Sequence, residues 1–308
     1  KCKRAIVSKG WSLYFLNRYE DSEEAFKKAH EVDDTDPWVN YGLGSIYFKK
    51  GLRVSVKLNN WEKEFAKNPE KREKFKETIE KNRAEMEMWL GDSLKYFQKA
   101  MEVSSETYDL HKMIGFVHVA KGIEEYPKSI ESFDRFITLI DKEAEGIQEL
   151  MKAKEKERLQ PGIDQKKLES LDQAIESLKK QLKTNRRNYC VIQEFTGDLS
   201  YQLAYAELQK AQNAKSTQEA EESRKRMTEY ADDVIERLKL ASQYAPEIPS
   251  YYRNLARVAQ LKGDHASASK YLKEYLERYP LDSPRDRSYA KIELELIQMQ
   301  EEEKERQF

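Results

Sequence analysis

Apolar residues along this chain fall three and four positions apart over long stretches. Leu168, Leu171, Ile175, Leu178 and Leu182 form a narrow heptad seam, and Ile140, Ala144, Ile147 and Met151 line one side of the preceding segment. Such spacing puts each set on one face of a helix. Gln160–Pro161–Gly162 reads as a turn between them, which predicts an antiparallel coiled-coil hairpin. An arm of about 24 residues projects ~35 Å. It adds little to a central core, so it is either a reach toward another subunit or a tolerated insertion; both readings stand.

Upstream, Phe75, Ile79, Met86, Trp89 (or Leu90), Leu94 and Phe97 share a face, predicting one long helix over 70–103. Asn68–Pro69–Glu70 is a helix stop and restart. Val54, Val56, Leu58, Trp61 and Phe65 predict a shorter segment folding against the long helix. Near the end, Tyr289, Ile292, Leu296 and Met299 predict a helix over 284–308 with these residues turned inward and a frayed polar end at 301–306.

A longer period overlies the helical one. Gly10 to Gly44 is 34 residues, and Gly44 to Gly115 is 71, one such period plus 37. Ser22, Phe26 and Ala29 return as Ser93, Phe97 and Ala100, then as Ser129, Phe133 and Phe136. Val234, Leu238 and Ala241 map onto Ala268, Leu272 and Tyr275 at a spacing of 34. Self-similarity at this period is the mark of stacked helical pairs.

The landmarks resemble the tetratricopeptide repeat (TPR) family. Its pattern is matched best by Tyr252, Leu255, Ala256, Ala259, Gly263–Asp264, Ala268, Leu272, Tyr275 and Pro280. Further matches are Gly10 with Asn17–Arg18–Tyr19, Phe26, Ala29 and Asp36–Pro37; Leu43–Gly44 with Tyr47 and Gly51; and Ile114–Gly115 with His118 and Gly122. A degenerate unit surrounds Gly197 and Ala241, with a break near 213–216. The resemblance implies an all-α, right-handed TPR-like α-solenoid with inserted helices. Units 1–3 occupy 1–136 with a helical insertion at 52–90, the coiled-coil hairpin 137–188, units 4–5 189–283, and a capping helix 284–308. Small Gly44, Gly115 and Ala256 admit a close partner helix, while Phe26, Phe97, Phe133 and Leu272 fill the space between pairs. Such a stack exposes a concave groove lined by first helices.

Repeat register turns Arg4, Val7, Trp11 and Tyr14 toward that groove, then Trp38, Tyr41, Ser45 and Phe48, then Lys112, Phe116 and Val119, and finally Arg253, Asn254, Arg257 and Gln260. The candidate partner-binding residues are Trp11, Tyr14, Trp38, Tyr41, Phe48, Lys112, Phe116, Arg253, Asn254 and Arg257. They describe a groove aromatic at one end and basic at the other, suited to an extended peptide with apolar and acidic residues. Some family members clamp terminal carboxylates with Lys–Asn–Asn–Lys–Arg. Val7, Trp11 and Gly42 stand at equivalent positions and do not match that clamp.

Composition narrows the function. Gly (11) and Pro (8) are scarce among 308 residues, as long helices require. A charged fraction of 36% suggests disorder by itself, but 18 Tyr, 11 Phe, 4 Trp and a net charge of −1 predict a folded chain. Near-neutrality argues against nucleic acid and anionic membrane as partners. No apolar run approaches a membrane-spanning length. Cys2 and Cys190 are too few for a disulfide framework and are expected as free thiols. Cys2 follows Lys1, whereas a lipidated cysteine normally follows a small residue, so lipidation there is not expected.

Site chemistry is sparse. His111 and His118 lie seven apart, not the three or four of a chelating pair, and lack a third ligand; His30 and His265 are isolated. No His–Glu–x–x–His, Cys–x–x–Cys, phosphate-cradling Gly–x–x–x–x–Gly–Lys or Gly–x–Ser–x–Gly occurs. No catalytic, metal or cofactor-binding residue is expected, nor a small-molecule ligand. The reading is a non-catalytic protein–protein interaction scaffold or adaptor, holding a partner peptide or subunit within a larger assembly. The alternative is a bacterial envelope TPR protein, periplasmic or lipid-anchored, assisting outer-membrane assembly, pilus biogenesis or transport. Compartment stays open between the envelope and the cytoplasm.

Overall fold

The computed structural model describes residues 3–306, with side chains for 3–299. Among the described residues all regular structure is helical. Helices α1 (Lys3–Phe15) and α2 (Tyr19–His30) pair across a turn where Asn17 adopts left-handed backbone, φ 58°. Long α3 (Pro37–Lys67) pairs with α5 (Lys76–Val103), with the short α4 (Pro69–Lys74) between them in sequence. Then α6 (Tyr108–Lys121) packs on the first part of α7 (Tyr126–Arg158).

One contact repeats in all three pairs. Ser22 Oγ donates to the Gly10 carbonyl at 2.7 Å, Ser93 to Gly44 at 2.8 Å and Ser129 to Gly115 at 2.9 Å. The serines are fully buried, so each hydroxyl must find its partner inside. Four residues after each serine, a buried phenylalanine lies on the same glycine. A Cβ at Gly10, Gly44 or Gly115 would come within 2.8, 2.8 and 2.6 Å of the rings of Phe26, Phe97 and Phe133. Phe26 also covers Gly42 of α3, joining one pair to the next. This is the close helix pairing that the tetratricopeptide resemblance implies.

The first insertion departs from expectation. Residues 54–65 are not a separate segment but the continuation of α3, an unbroken 31-residue helix. Gly51 allows this, since its bare Cα sits against Leu90 of α5 where a Cβ would be 2.5 Å away. The expected single helix over 70–103 is interrupted instead at Phe75 (φ −103°, ψ 8°). The insertion therefore lengthens both helices of the second pair, and Phe48, Leu58, Met86 and Leu90 share one core with Leu110 and Ile114 of α6.

The chain divides into two compact bodies, Lys1–Leu139 and Ile140–Phe308. The second contains the rest of α7, α8 (Gln165–Gln212), α9 (Thr217–Tyr244), α10 (Ser250–Leu261), α11 (His265–Arg278) and α12 (Pro284–Arg306). The end of α7 and the start of α8 run antiparallel. Glu143 accepts from Gln181 and Asn185, Arg158 meets Asp172 at 2.6 Å, and Lys167 meets Glu157 at 3.0 Å. Ala144, Ile147 and Leu182 are buried between these arms with Met151 and Leu178 against them. Helix α8 continues past the hairpin to pack on α9, which Ser216 caps by accepting from the Glu219 amide. Gly263 (φ 74°) makes the left-handed turn between α10 and α11 that favours glycine, and Asp264 caps α11.

Helix α12 packs the opposite way from expectation. Ala290 and Ile297 face the core with Leu294 beside them, while Tyr289, Ile292, Leu296 and Met299 are 53%, 52%, 53% and 63% exposed. The helix is apolar on two faces, so periodicity alone could select either. Its rotation is set by Asp286, paired with Arg253 of α10 at 2.7 Å, and by Arg287, which donates to the Leu276 and Tyr279 carbonyls. Small Ala290 then packs with Ala268, Leu272 and Tyr275 of α11. The polar side chains expected to fray at 301–306, like Cys2, lie outside the described residues. Cys190 is a buried free thiol bonded to the Ala241 carbonyl, and burial raises its pKa.

Candidate functional site

The candidate site of the N-terminal body starts at a helix cap. Asp36 accepts from the backbone amides of Trp38 and Val39 at 2.9 and 3.2 Å, with Pro37 in the first turn of α3. Lys3 binds Asp33 at 2.7 Å and Asp36 at 2.8 Å, tying the start of α1 to this cap. Those bonds hold the Lys3 ammonium above its usual pKa, and the Asp33 carboxyl is held down at about 2. The cap fixes where α3 begins, and so where Trp38 and Tyr41 project.

An aromatic row runs from α1 across α3. The Trp11 ring lies 5.6 Å from Tyr14 and 5.6 Å from Tyr41, with Phe26 beneath it at 5.2 Å. Tyr41 in turn meets Phe97 at 5.7 Å. Burial pushes the Tyr41 hydroxyl well above its ordinary pKa, with smaller contributions from Asp109 and Tyr14. That hydroxyl stays neutral at physiological pH. Beside Tyr41 opens an apolar cleft of about 140 Å³, walled by Pro37, Trp38 and Tyr41 on one side and Ser104, Thr107, Asp109 and Leu110 on the other. Trp38 stands at the cleft 67% exposed.

The other candidates separate. Phe48 is a correction: it is 8% exposed and packs in the α3, α5 and α6 core, unavailable to a partner. The extra length of α3 and α5 covers it, which repeat register could not anticipate. Phe116 is half-buried against the same core and meets Phe133 edge-on at 5.2 Å. Lys112 is neutralised by Asp109 and lies 5.6 Å over Phe136. Arg253, Asn254 and Arg257 belong to the C-terminal body. Arg253 pairs with Asp286 and sits over Tyr275; Arg257 stacks 4.6 Å over Tyr201 and contacts Asn254. Arg253 thus has a carboxylate partner, whereas Arg257 keeps its charge beside a tyrosine ring and an amide.

Thr107, Asp109 and Leu110 were not among the sequence candidates. They stand where α6 begins, after a Ser104–Thr107 turn that brings them opposite Trp38, and repeat register counted only from Lys112 onward. Of the histidines, His118 Nδ1 lies 2.9 Å from Glu125 and His111 Nε2 3.2 Å from the Ser105 carbonyl. Among the described residues no group of three His, Cys, Asp or Glu is placed to hold a metal ion, and no helix is long and apolar enough to cross a membrane.

No family model matches the chain, and no curated protein matches it. Among solved structures it is similar to the assembly chaperone of RpL4, Acl4, at 14% identity and TM-score 0.46, covering 92% of this chain and 77% of that one. It is similar to TTC0263, a thermophilic TPR protein of Thermus thermophilus, at 13% identity and TM-score 0.32, covering 97% and 100%. The human IFIT1 dimer with PPP-AAAA aligns at 15% identity and TM-score 0.18, covering 92% and 74%. Within the chain, the serine, glycine and phenylalanine contacts recur in three successive helix pairs.

Proposed function

We propose that this protein is a non-catalytic interaction scaffold that holds an extended segment of a protein partner on its N-terminal body. One apolar side chain of that segment seats in the cleft between Trp38 and Leu110. The observation carrying this reading is the exposed Trp38 ring beside an apolar cleft that Tyr41 of the aromatic row also lines. A folded chain leaves such a ring in water at a cost, and contiguous exposed apolar surface of this kind marks recognition sites. Pairing of Lys112 with Asp109 favours an anchor that is apolar over one that is acidic.

The test is a peptide-library selection on the intact chain, repeated on Trp38→Ala and on Thr107→Tyr, which fills the cleft. Selected peptides with a shared apolar anchor should lose at least about ten-fold in affinity for both variants. Peptides that bind the variants as well as the parent refute the cleft as the site.

A further inference from the structure

A net charge of −1 averages over an uneven distribution. Residues 49–76 hold ten Lys and Arg against four Glu, so the rest of the chain is acidic. The distal part of this basic stretch is the tip of the second helix pair, where α3 ends, α4 turns and α5 begins. Three of its four glutamates are already paired: Glu62 with Arg83 at 3.2 Å, Glu64 with Lys71 at 2.8 Å and Glu73 with Lys76 at 4.0 Å. Lys63, Lys67, Arg72 and Lys74 are exposed, and among the described residues they have no hydrogen-bond or ion-pair partner. The same turns form an aromatic cleft of about 350 Å³, walled by Trp61, Phe65 and Phe75 with Glu64, Lys71 and Lys74. The helix break at Phe75 sets its ring against Phe65, 6.2 Å away and 20° from parallel, and Trp61 lies 6.5 Å from Phe65.

We infer that this tip binds single-stranded nucleic acid, one base stacking on the rings of the cleft and the neighbouring phosphates meeting Lys63, Lys67, Arg72 and Lys74. Unpaired cations of one sign call for an anionic partner, and cations beside stacked rings are what a single strand requires. Phe75 is 40% exposed while Phe65 beneath it is buried, so a base laid on Phe75 continues a stack that the fold has already built.

The shape of the site separates this partner from other anions. Buried Phe65 and half-buried Trp61 are recessed in a cleft, so they cannot enter a bilayer as inserting aromatics do, but they can receive a flat ring. An acidic peptide supplies charge without a ring at every unit, whereas each nucleotide supplies both. A duplex keeps its bases stacked inside, out of reach of Phe75.

Fluorescence anisotropy of a fluorescein-labelled oligothymidylate, titrated with the full chain at low salt, tests the proposal, with circular dichroism confirming that each variant is folded. The single strand should bind more tightly than a duplex of equal length. Phe75→Ala should weaken binding at least about five-fold through the lost base stack, while Phe75→Tyr, which keeps the ring, should bind as the parent does. Lys63→Gln, Lys67→Gln and Lys74→Gln together should flatten the plot of log association constant against log salt by about two, as three lost phosphate contacts require. Lys152→Gln with Lys156→Gln, on the hairpin arm, should change neither affinity nor slope. Absence of binding at low salt overturns the proposal. So does binding indifferent to Phe75→Ala, an equal loss from the hairpin pair, or tighter binding to phosphatidylserine vesicles or polyglutamate than to the oligonucleotide.

Discussion

Ser93 of α5 donates to the carbonyl of Gly44 on α3, 49 residues earlier in the chain, and Phe97 lies against that same glycine. The bare glycine and the buried hydroxyl act together: the missing side chain lets α5 approach, and approach brings the serine within reach of the carbonyl. Recurrence at Ser22 and Gly10, and at Ser129 and Gly115, makes this the repeated joint of the N-terminal body.

Glycines at these joints should respond to alanine oppositely from glycines elsewhere. Alanine gains ~1 kcal/mol over glycine in a helix interior, but overpacking costs ~1–3 kcal/mol. At Gly115 the new Cβ would stand 2.6 Å from the Phe133 ring, so Gly115→Ala should destabilise, and pairing it with Phe133→Leu should recover part of the loss. At Gly91 and Gly146 nothing lies within 4 Å of the added atom, so alanine should stabilise by ~0.5–1 kcal/mol. Urea midpoints read all four variants.

Trp38 and Phe48 were both expected to face the groove from α3 but should behave differently. Trp38→Ala removes an exposed ring and should leave stability within about 0.5 kcal/mol. Phe48→Ala empties a core site and should cost ~3–5 kcal/mol. Thermal unfolding distinguishes them, and a large loss for Trp38→Ala would contradict its placement in solvent.

Acid should weaken the N-terminal body in two steps. Burial lowers the His118 pKa below its ordinary 6.5, outweighing the Glu125 carboxylate that opposes it. The folded state then binds fewer protons than the unfolded one, so stability is full above 6.5 and falls as pH drops below it. Glu125 also has burial acting to raise its pKa, but bonds from Lys128 and His118 bring it below 4.5, so its contribution is lost on further acidification. Urea midpoints at pH 7 and 5.5 should differ less for His118→Gln than for the parent.

The hairpin tip should be dispensable to the C-terminal body. Leu171, Ile175 and Leu182 of α8 are buried in the hairpin, and the ion pairs Arg158–Asp172 and Lys167–Glu157 join only the two arms. Replacing residues 152–176 by a short Gly/Ser turn should leave the melting temperature of the remainder within a few degrees. A cooperative loss of α9–α11 structure by circular dichroism would show that the arms stabilise more than each other.

Legibility followed how local each decision was. Helix ends at Asn68–Pro69 and Asn213–Ser216 were readable because proline and capping hydroxyls act within a turn. The repeat landmarks were readable because one packing solution recurs, so Gly10, Gly44 and Gly115 appear at related spacings with their serines and phenylalanines. The continuity of α3 was harder to read. Nothing local distinguishes a helix that ends near Gly51 from one that passes it; contact with Leu90 decides. Thr107, Asp109 and Leu110 escaped notice because their part in the cleft comes from facing Trp38, some 70 positions earlier.

By itself the amino-acid sequence determined that the chain is helical, that its helices pair, and at which positions the serine, glycine and phenylalanine landmarks recur, since short-range periodicity and small-residue spacing encode these. Tertiary structure decided which of two apolar faces each helix buries. Phe48 went inside because α3 and α5 are long enough to cover it. On α12, Ala290 and Ile297 went inside because Arg253 and Arg287 fix the helix's rotation. An amphipathic pattern states that a face will be buried; only the neighbours in space, through their size and their charges, choose which one.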